Sequence, residues 1–196
     1  MKEHIPIHIG ECHASRKPAV ISTVLGSCVA VCLFDAECRI GGMNHILLPG
    51  EADMKHFDDA ARYGINAMEL LINRIMTLGG NRRRLVAKVF GGGHVLPAIS
   101  KENGIGERNV AFALEFLANE RIRVLCKDVG GTDSRRIYFH TDTNDVFLKR
   151  ISSATFRKAA LEEKQRLAQV KRDARRGGEV VFFRDCRTPE SSLKDD

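Results

Sequence analysis

Residues 22–49 read STVLGSCVAVCLFDAECRIGGMNHILLP. Two apolar runs stand on either side of a short polar segment, Asp35-Ala36-Glu37-Cys38-Arg39. The first run, Val29-Ala30-Val31-Cys32-Leu33-Phe34, is rich in β-branched and bulky side chains, and the second resumes at Ile40 and continues to Leu48. That pattern predicts a β-hairpin. A two-residue loop at Ala36-Glu37, or a four-residue loop on the same centre, puts Cys28 directly opposite His45. Opposed Cβ atoms of an antiparallel pair lie roughly 4.5–5.5 Å apart, so a thiol and an imidazole would meet on one face. A slip of one residue would send one of them to the other face.

The flanks bear on whether Cys28 is reactive. Leu25-Gly26-Ser27 precedes it, and Gly41-Gly42 precedes His45 on the partner run. Glycine there leaves room for another backbone or for a bulky substrate, at a cost in strand stability. A lone cysteine in a β-run is ordinarily a small core residue. An imidazole partner and flanking glycines favour a nucleophile.

Outward from this hairpin, Ile5 to Ile9 predicts a short first strand and Pro18 to Val24 another, ending at the Gly26 turn. Cys12 and His13 form a second thiol–imidazole pair in sequence, but adjacent strand residues point to opposite faces, which makes them structural. After Pro49 comes a polar loop with Asp58 as helix N-cap. Ala61, Ile65, Met68, Leu71, Ile72, Ile75 and Met76 then recur at helical spacing until Gly79-Gly80. Leu85 to Phe90 predicts a strand entering Gly91-Gly92-Gly93-His94. That loop matches neither GxGxxG nor GxxxxGKS and is read as a tight turn or as a wall of the site; His94 is the rival to His45 as a base. A helix from Glu107 to about Glu120 follows, then strands at Ile122–Cys126, Arg136–Thr141 and Val146–Ile151, the last two joined by the turn at Asp142-Thr143-Asn144-Asp145.

With 196 residues the chain is long enough for one domain with a sizeable core, placed at residues 1–151, plus a basic helical extension and tail at 152–196. Of the net charge of +6, residues 151–178 hold +5, from eight Lys/Arg against three acids. The core therefore carries no nucleic-acid signature. No run of 18 apolar residues exists to enter a membrane directly. The N-terminus lacks the apolar stretch of a secretory signal, and six irregularly spaced cysteines suit a reducing, cytoplasmic setting. The absence of a CxxC argues against structural zinc, and nothing calls for a cofactor.

Taken together, TVLGSCVAVCLFD, GGMNHILLP, YGINAMELLI, KVFGGG, IGERN and DVGG…RRIYFHTDT resemble, in order, the blocks of the CheD family of bacterial chemoreceptor glutamine deamidases, across residues 7–151. The resemblance implies an α/β sandwich with mixed sheets, consistent with the order of strands and helices above. It implies Cys28 as nucleophile and His45 as base. The family's third residue, a threonine, stands six positions before the cysteine, where this chain has Ser22, with Thr23 next to it. One strand can aim only one of those hydroxyls at His45, and the family position favours Ser22. The resemblance further implies methyl-accepting chemotaxis proteins as substrates; some members also hydrolyse glutamate methyl esters and some bind the CheC phosphatase.

The residues permit that chemistry. Cys28 would attack a glutamine side-chain carbonyl and His45 would protonate the departing ammonia, leaving a thioester that water resolves. Backbone N–H groups around Ser27 and Cys28 are candidate oxyanion donors. Two rivals differ in kind. A catalytically silent adaptor would not need Cys28. A redox switch would need Cys28 and Cys32 to join, yet an extended strand holds residues four apart at roughly 13 Å, beyond disulfide reach.

Overall fold

The computed structural model describes residues 2–48, 57–94 and 104–151. The proposed extension at 152–196 lies outside them. In chain order the elements are β1 (Glu3–Pro6), β2 (Cys12–Ser15), β3 (Ala19–Leu25), β4 (Val29–Asp35), β5 (Ile40–Asn44), α1 (Phe57–Thr77), a 3₁₀ turn (Arg82–Arg84), β6 (Val86–Gly91), α2 (Ile105–Asn119), β7 (Arg123–Val129), β8 (Ser134–His140) and β9 (Val146–Ile151). They build two mixed sheets, ordered β1-β3-β8-β9 and β2-β5-β4-β6-β7. The pairs β1/β3 and β6/β7 are parallel and the others antiparallel. This is the layered α/β sandwich expected.

β4 explains why residues 22–49 decide the architecture. Every residue of it is buried, and its two faces serve two cores. Val29, Val31 and Leu33 pack with α1 and α2 through Met68, Leu71, Ile72, Ala113 and Leu117. Ala30 and Cys32 face the other way, meeting Ile21 and Leu25 of β3 and Ile137 and Phe139 of β8. Such a strand reads as continuously apolar because it has no wet side. Cys28 belongs to the inter-sheet core.

The hairpin register is corrected. The last pair is Asp35↔Ile40, with Cys32 opposite Met43 and an isolated bridge between Val29 and Ile46. The loop is therefore Ala36–Arg39, centred one residue later than expected. Asp35 sets it. Its Oδ1 accepts from the N–H of Glu37 (3.1 Å) and Cys38 (3.4 Å), and its Oδ2 accepts from Asn81 N–H and Arg84 Nη2, both at 2.8 Å. Arg39 completes the turn at φ 52. Burial alone would raise the Asp35 pKa, but Arg84 and the backbone donors outweigh it and hold the carboxylate below its usual range.

Carried to the end of the hairpin, the observed register sets Cys28 across from Leu47 and makes His45 its diagonal neighbour. A shift of two residues keeps the face, so both side chains stay on the inter-sheet side. Diagonal positions lie roughly 7–8 Å apart, still within reach of a long side chain.

The glycines before His45 admit protein, not substrate. A Cβ on Gly41 would meet the Thr141 backbone oxygen at 2.6 Å, and one on Gly42 would meet Leu71 Cδ1 at 2.7 Å. The first lets the sheets close together and the second lets α1 lie down. Cys12 and His13 do point to opposite faces in β2, with Cys12 in the helix-side core. Several boundaries move: β1 ends at Pro6 and gives way to a turn at His8–Glu11, and α1 begins at Phe57, so Asp58 lies inside the helix.

Candidate active site

Cys28 is the last of the three residues, Gly26 to Cys28, that connect β3 to β4, where the sheet ladder has not begun. The residue is 8% exposed. The triple glycine clamps it from above: Gly92 N–H donates to the Cys28 carbonyl and Gly93 N–H to the Gly26 carbonyl, both at 2.7 Å. Gly91 and Gly92 take φ of 112 and 64, and a Cβ on Gly91 would come within 2.1 Å of the Cys28 oxygen. Only glycine permits that conformation and that approach. The loop is thus the wall of the site. His94 follows it, its N–H on the Gly131 carbonyl at 2.6 Å, and its ring lies beside Gly104 at the head of α2.

His45 continues β5 into the site. Its N–H donates to the Glu11 carbonyl (3.0 Å) and its carbonyl accepts from Gly10 N–H (2.8 Å), so the His8–Glu11 turn holds its backbone. Its ring is buried, with Nδ1 2.8 Å from Thr23 Oγ1. The Thr23 hydroxyl donates its one hydrogen to the Ile7 carbonyl, also at 2.8 Å. A hydroxyl has a single proton to give, so toward the ring it accepts, and Nδ1 carries the hydrogen. In the neutral ring Nε2 is then the bare nitrogen. It is buried and has no hydrogen-bond partner among the described residues, Cys28 Sγ included.

Burial governs the charge of both groups. It pushes the Cys28 thiol up to about 11. It pushes His45 down to about 4, with nearby His8 adding to the effect and Glu11 opposing it. Both shifts favour the neutral forms, thiol and uncharged imidazole, at neutral pH.

The third hydroxyl is also reassigned. Thr23, not Ser22, touches His45. Ser22 alternates to the other face of β3, paired with Pro6 and Tyr138. The inward set is Ile21, Thr23 and Leu25, because those residues meet the second sheet.

These features put a thiol, an imidazole with a bare nitrogen and a tautomer-setting hydroxyl in one core layer. A family model described as CheD chemotactic sensory transduction matches residues 47–150. The relative from Chromobacterium violaceum named "Probable chemoreceptor glutamine deamidase CheD 2" is 43% identical over 162 residues, 82% of this chain and 79% of its own. The chain belongs to the CheD family. A CheD relative from Shewanella oneidensis is 43% identical over 176 residues, 89% of this chain and 84% of its own. One from Caulobacter sp. is 48% identical over 138 residues, 69% of this chain and 72% of its own. The family model begins at Leu47, just past Cys28 and His45, so the geometry around those two rests on the structure itself.

Asn109 escaped the sequence reading. It is fully buried in α2; its Nδ2 donates to the Ser27 carbonyl and its Oδ1 accepts from Leu48 N–H, both at 2.9 Å. One side chain thereby ties the Cys28 turn to the end of the His45 strand. The available signal was an asparagine, a poor helix former, inside the CheD block IGERN and next to the apolar stripe of a helix.

Proposed function

We propose that this protein is a chemoreceptor glutamine deamidase, the activity named for its relatives. The observation that carries the reading is the Thr23–His45 contact, which leaves a bare Nε2 on the same inter-sheet side as Cys28. Cys28 Sγ attacks the side-chain carbonyl carbon of a receptor glutamine while Nε2 takes the thiol proton. Deprotonation coupled to attack suits a buried thiol whose free thiolate is disfavoured. Nε2–H then protonates the amine as the carbon–nitrogen bond breaks, and ammonia leaves a glutamyl thioester. Water, losing a proton to Nε2, attacks that thioester, and release of glutamate returns the proton to Sγ.

The substrates are methyl-accepting chemotaxis proteins, met at their cytoplasmic helical region by a protein working in the cytoplasm. Among the described residues no helix is long and apolar enough to cross a membrane. CheC-type phosphatase as a binding partner, and hydrolysis of glutamate methyl esters through the same attack with methanol leaving, belong to the same proposal. Incubating the protein with a receptor fragment and following each glutamine by mass spectrometry tests it. The amide-to-acid mass increase is expected at discrete positions; an unchanged fragment, with binding retained, would favour the silent adaptor.

The reassigned hydroxyl gives a second test. Thr23→Val should lower turnover about tenfold, the order expected for one orienting hydrogen bond of about 1 kcal/mol. Ser22→Ala should be mild. Assaying both on one receptor fragment decides, since the reverse ranking would return the role to Ser22.

The pH profile follows from the buried imidazole. Only bare Nε2 accepts a proton, so kcat/KM should hold through the neutral range and fall as pH drops towards about 4. An acid limb near 6.5 would mean the base is a solvated histidine. Folding stability shares the sign. The unfolded chain protonates His45 near 6.5 and the folded one near 4, so stability declines across that window, by up to about 3 kcal/mol. Circular dichroism across the same pH range separates loss of the base from loss of the fold.

A further inference from the structure

The inference drawn here rests on that reading and concerns how the oxyanion is held. A trans peptide directs its C=O and the following N–H to opposite sides, and none of the described residues has a cis peptide bond. Asn109 holds the Ser27 carbonyl at 2.9 Å. It does so from α2, which packs on the helix side of the five-stranded sheet through Ala113 and Leu117. The next amide, that of Cys28, must then point to the inter-sheet side, where Cys28 itself packs. That N–H joins none of the turn and loop hydrogen bonds among the described residues. It is also the group that favours the thiolate of its own side chain, which places it beside Sγ. A donor beside the attacking sulfur, claimed by no turn or loop carbonyl, is what a developing oxyanion requires.

We infer that Asn109 is a positioning residue that fixes the Ser27–Cys28 peptide so that the Cys28 N–H receives the oxyanion of the tetrahedral intermediate. Its second bond, to Leu48 N–H, anchors it on the strand that carries His45. Through one amide group the donor and the base are held in a common frame. Asn109 touches no reacting atom.

The test separates acyl chemistry from thiol chemistry. Attack on an amide builds an oxyanion; alkylation of the same thiol by iodoacetamide, a displacement at saturated carbon, builds none. Asn109→Leu keeps the branched four-atom side chain and removes both hydrogen bonds, and Asn109→Ser is a second, smaller neutral variant. With a folded variant, kcat for deamidation should fall about a hundredfold, the lower end for loss of an oxyanion donor. KM and the rate of Cys28 alkylation, read by peptide mass spectrometry to exclude other cysteines, should stay within a factor of three. Unchanged kcat, or equal loss of deamidation and alkylation, would overturn the assignment. If neither variant folds, the wild-type protein decides: a glutamine-derived aldehyde forms a hemithioacetal on Cys28, and the Cys28 amide signal in nitrogen-15 NMR should move downfield. An unmoved signal overturns the role. Failure of wild-type protein to deamidate any glutamine would count against the proposed function, and the alkylation and aldehyde measurements remain readable in that case.

Discussion

Cys28→Ala is expected to reduce glutamine hydrolysis ~10⁴-fold or more with the fold intact, because the reaction then has no atom to form the acyl intermediate. The change is sterically small. It removes one sulfur from a site walled by backbone, where the Gly91–Gly93 clamp bonds to main-chain oxygens and not to the thiol. Those bonds survive, so the unfolding midpoint should move by only a few degrees. Assaying a receptor fragment by mass spectrometry alongside thermal unfolding gives both readouts. Retained deamidation in a correctly folded Cys28→Ala protein would sink the covalent mechanism and leave direct attack by water on the amide as the route.

Replacing His45 should come close in effect, by ~10²–10⁴-fold, the usual worth of a positioned general base. His45→Leu is the informative substitution. Burying Nε2 without a partner costs the fold about 1–3 kcal/mol, which an apolar side chain of similar size avoids. Thr23 keeps its bond to the Ile7 carbonyl and needs nothing from the ring. Thermal stability at or above wild type is therefore expected beside the lost turnover, the mark of a residue retained for chemistry at some cost to the fold. His94→Ala serves as the control and should leave turnover near wild type. Loss confined to His94→Ala would move the base to the end of the glycine loop.

Much of this was legible in the chain because it rests on local or periodic signals. β9 falls at Val146–Ile151 as its alternation and the preceding turn indicate, and the period of α1 survives its shifted start. β4 falls in the first apolar run, and the face shared by Cys28 and His45 follows from parity, which a two-residue change of register preserves. The sequence by itself determined the order of the two long helices and of every strand except β2, the family, and the sheet side that Cys28 and His45 share.

Only the tertiary structure decided the register, the hydroxyl and the strut. Asp35 re-centres the hairpin because Asn81 and Arg84, more than 40 positions along, satisfy its buried carboxylate. Thr23 displaces Ser22 because sheet packing chooses which parity of β3 faces inward, and its proton is committed to a carbonyl of the turn after β1. Asn109 matters because a helix 61 residues beyond Leu48 lies across the Cys28 turn. Periodicity sums contributions from near neighbours along the chain. A side-chain hydrogen bond between layers depends on position to within a few tenths of an ångström, and that is set only when the layers close.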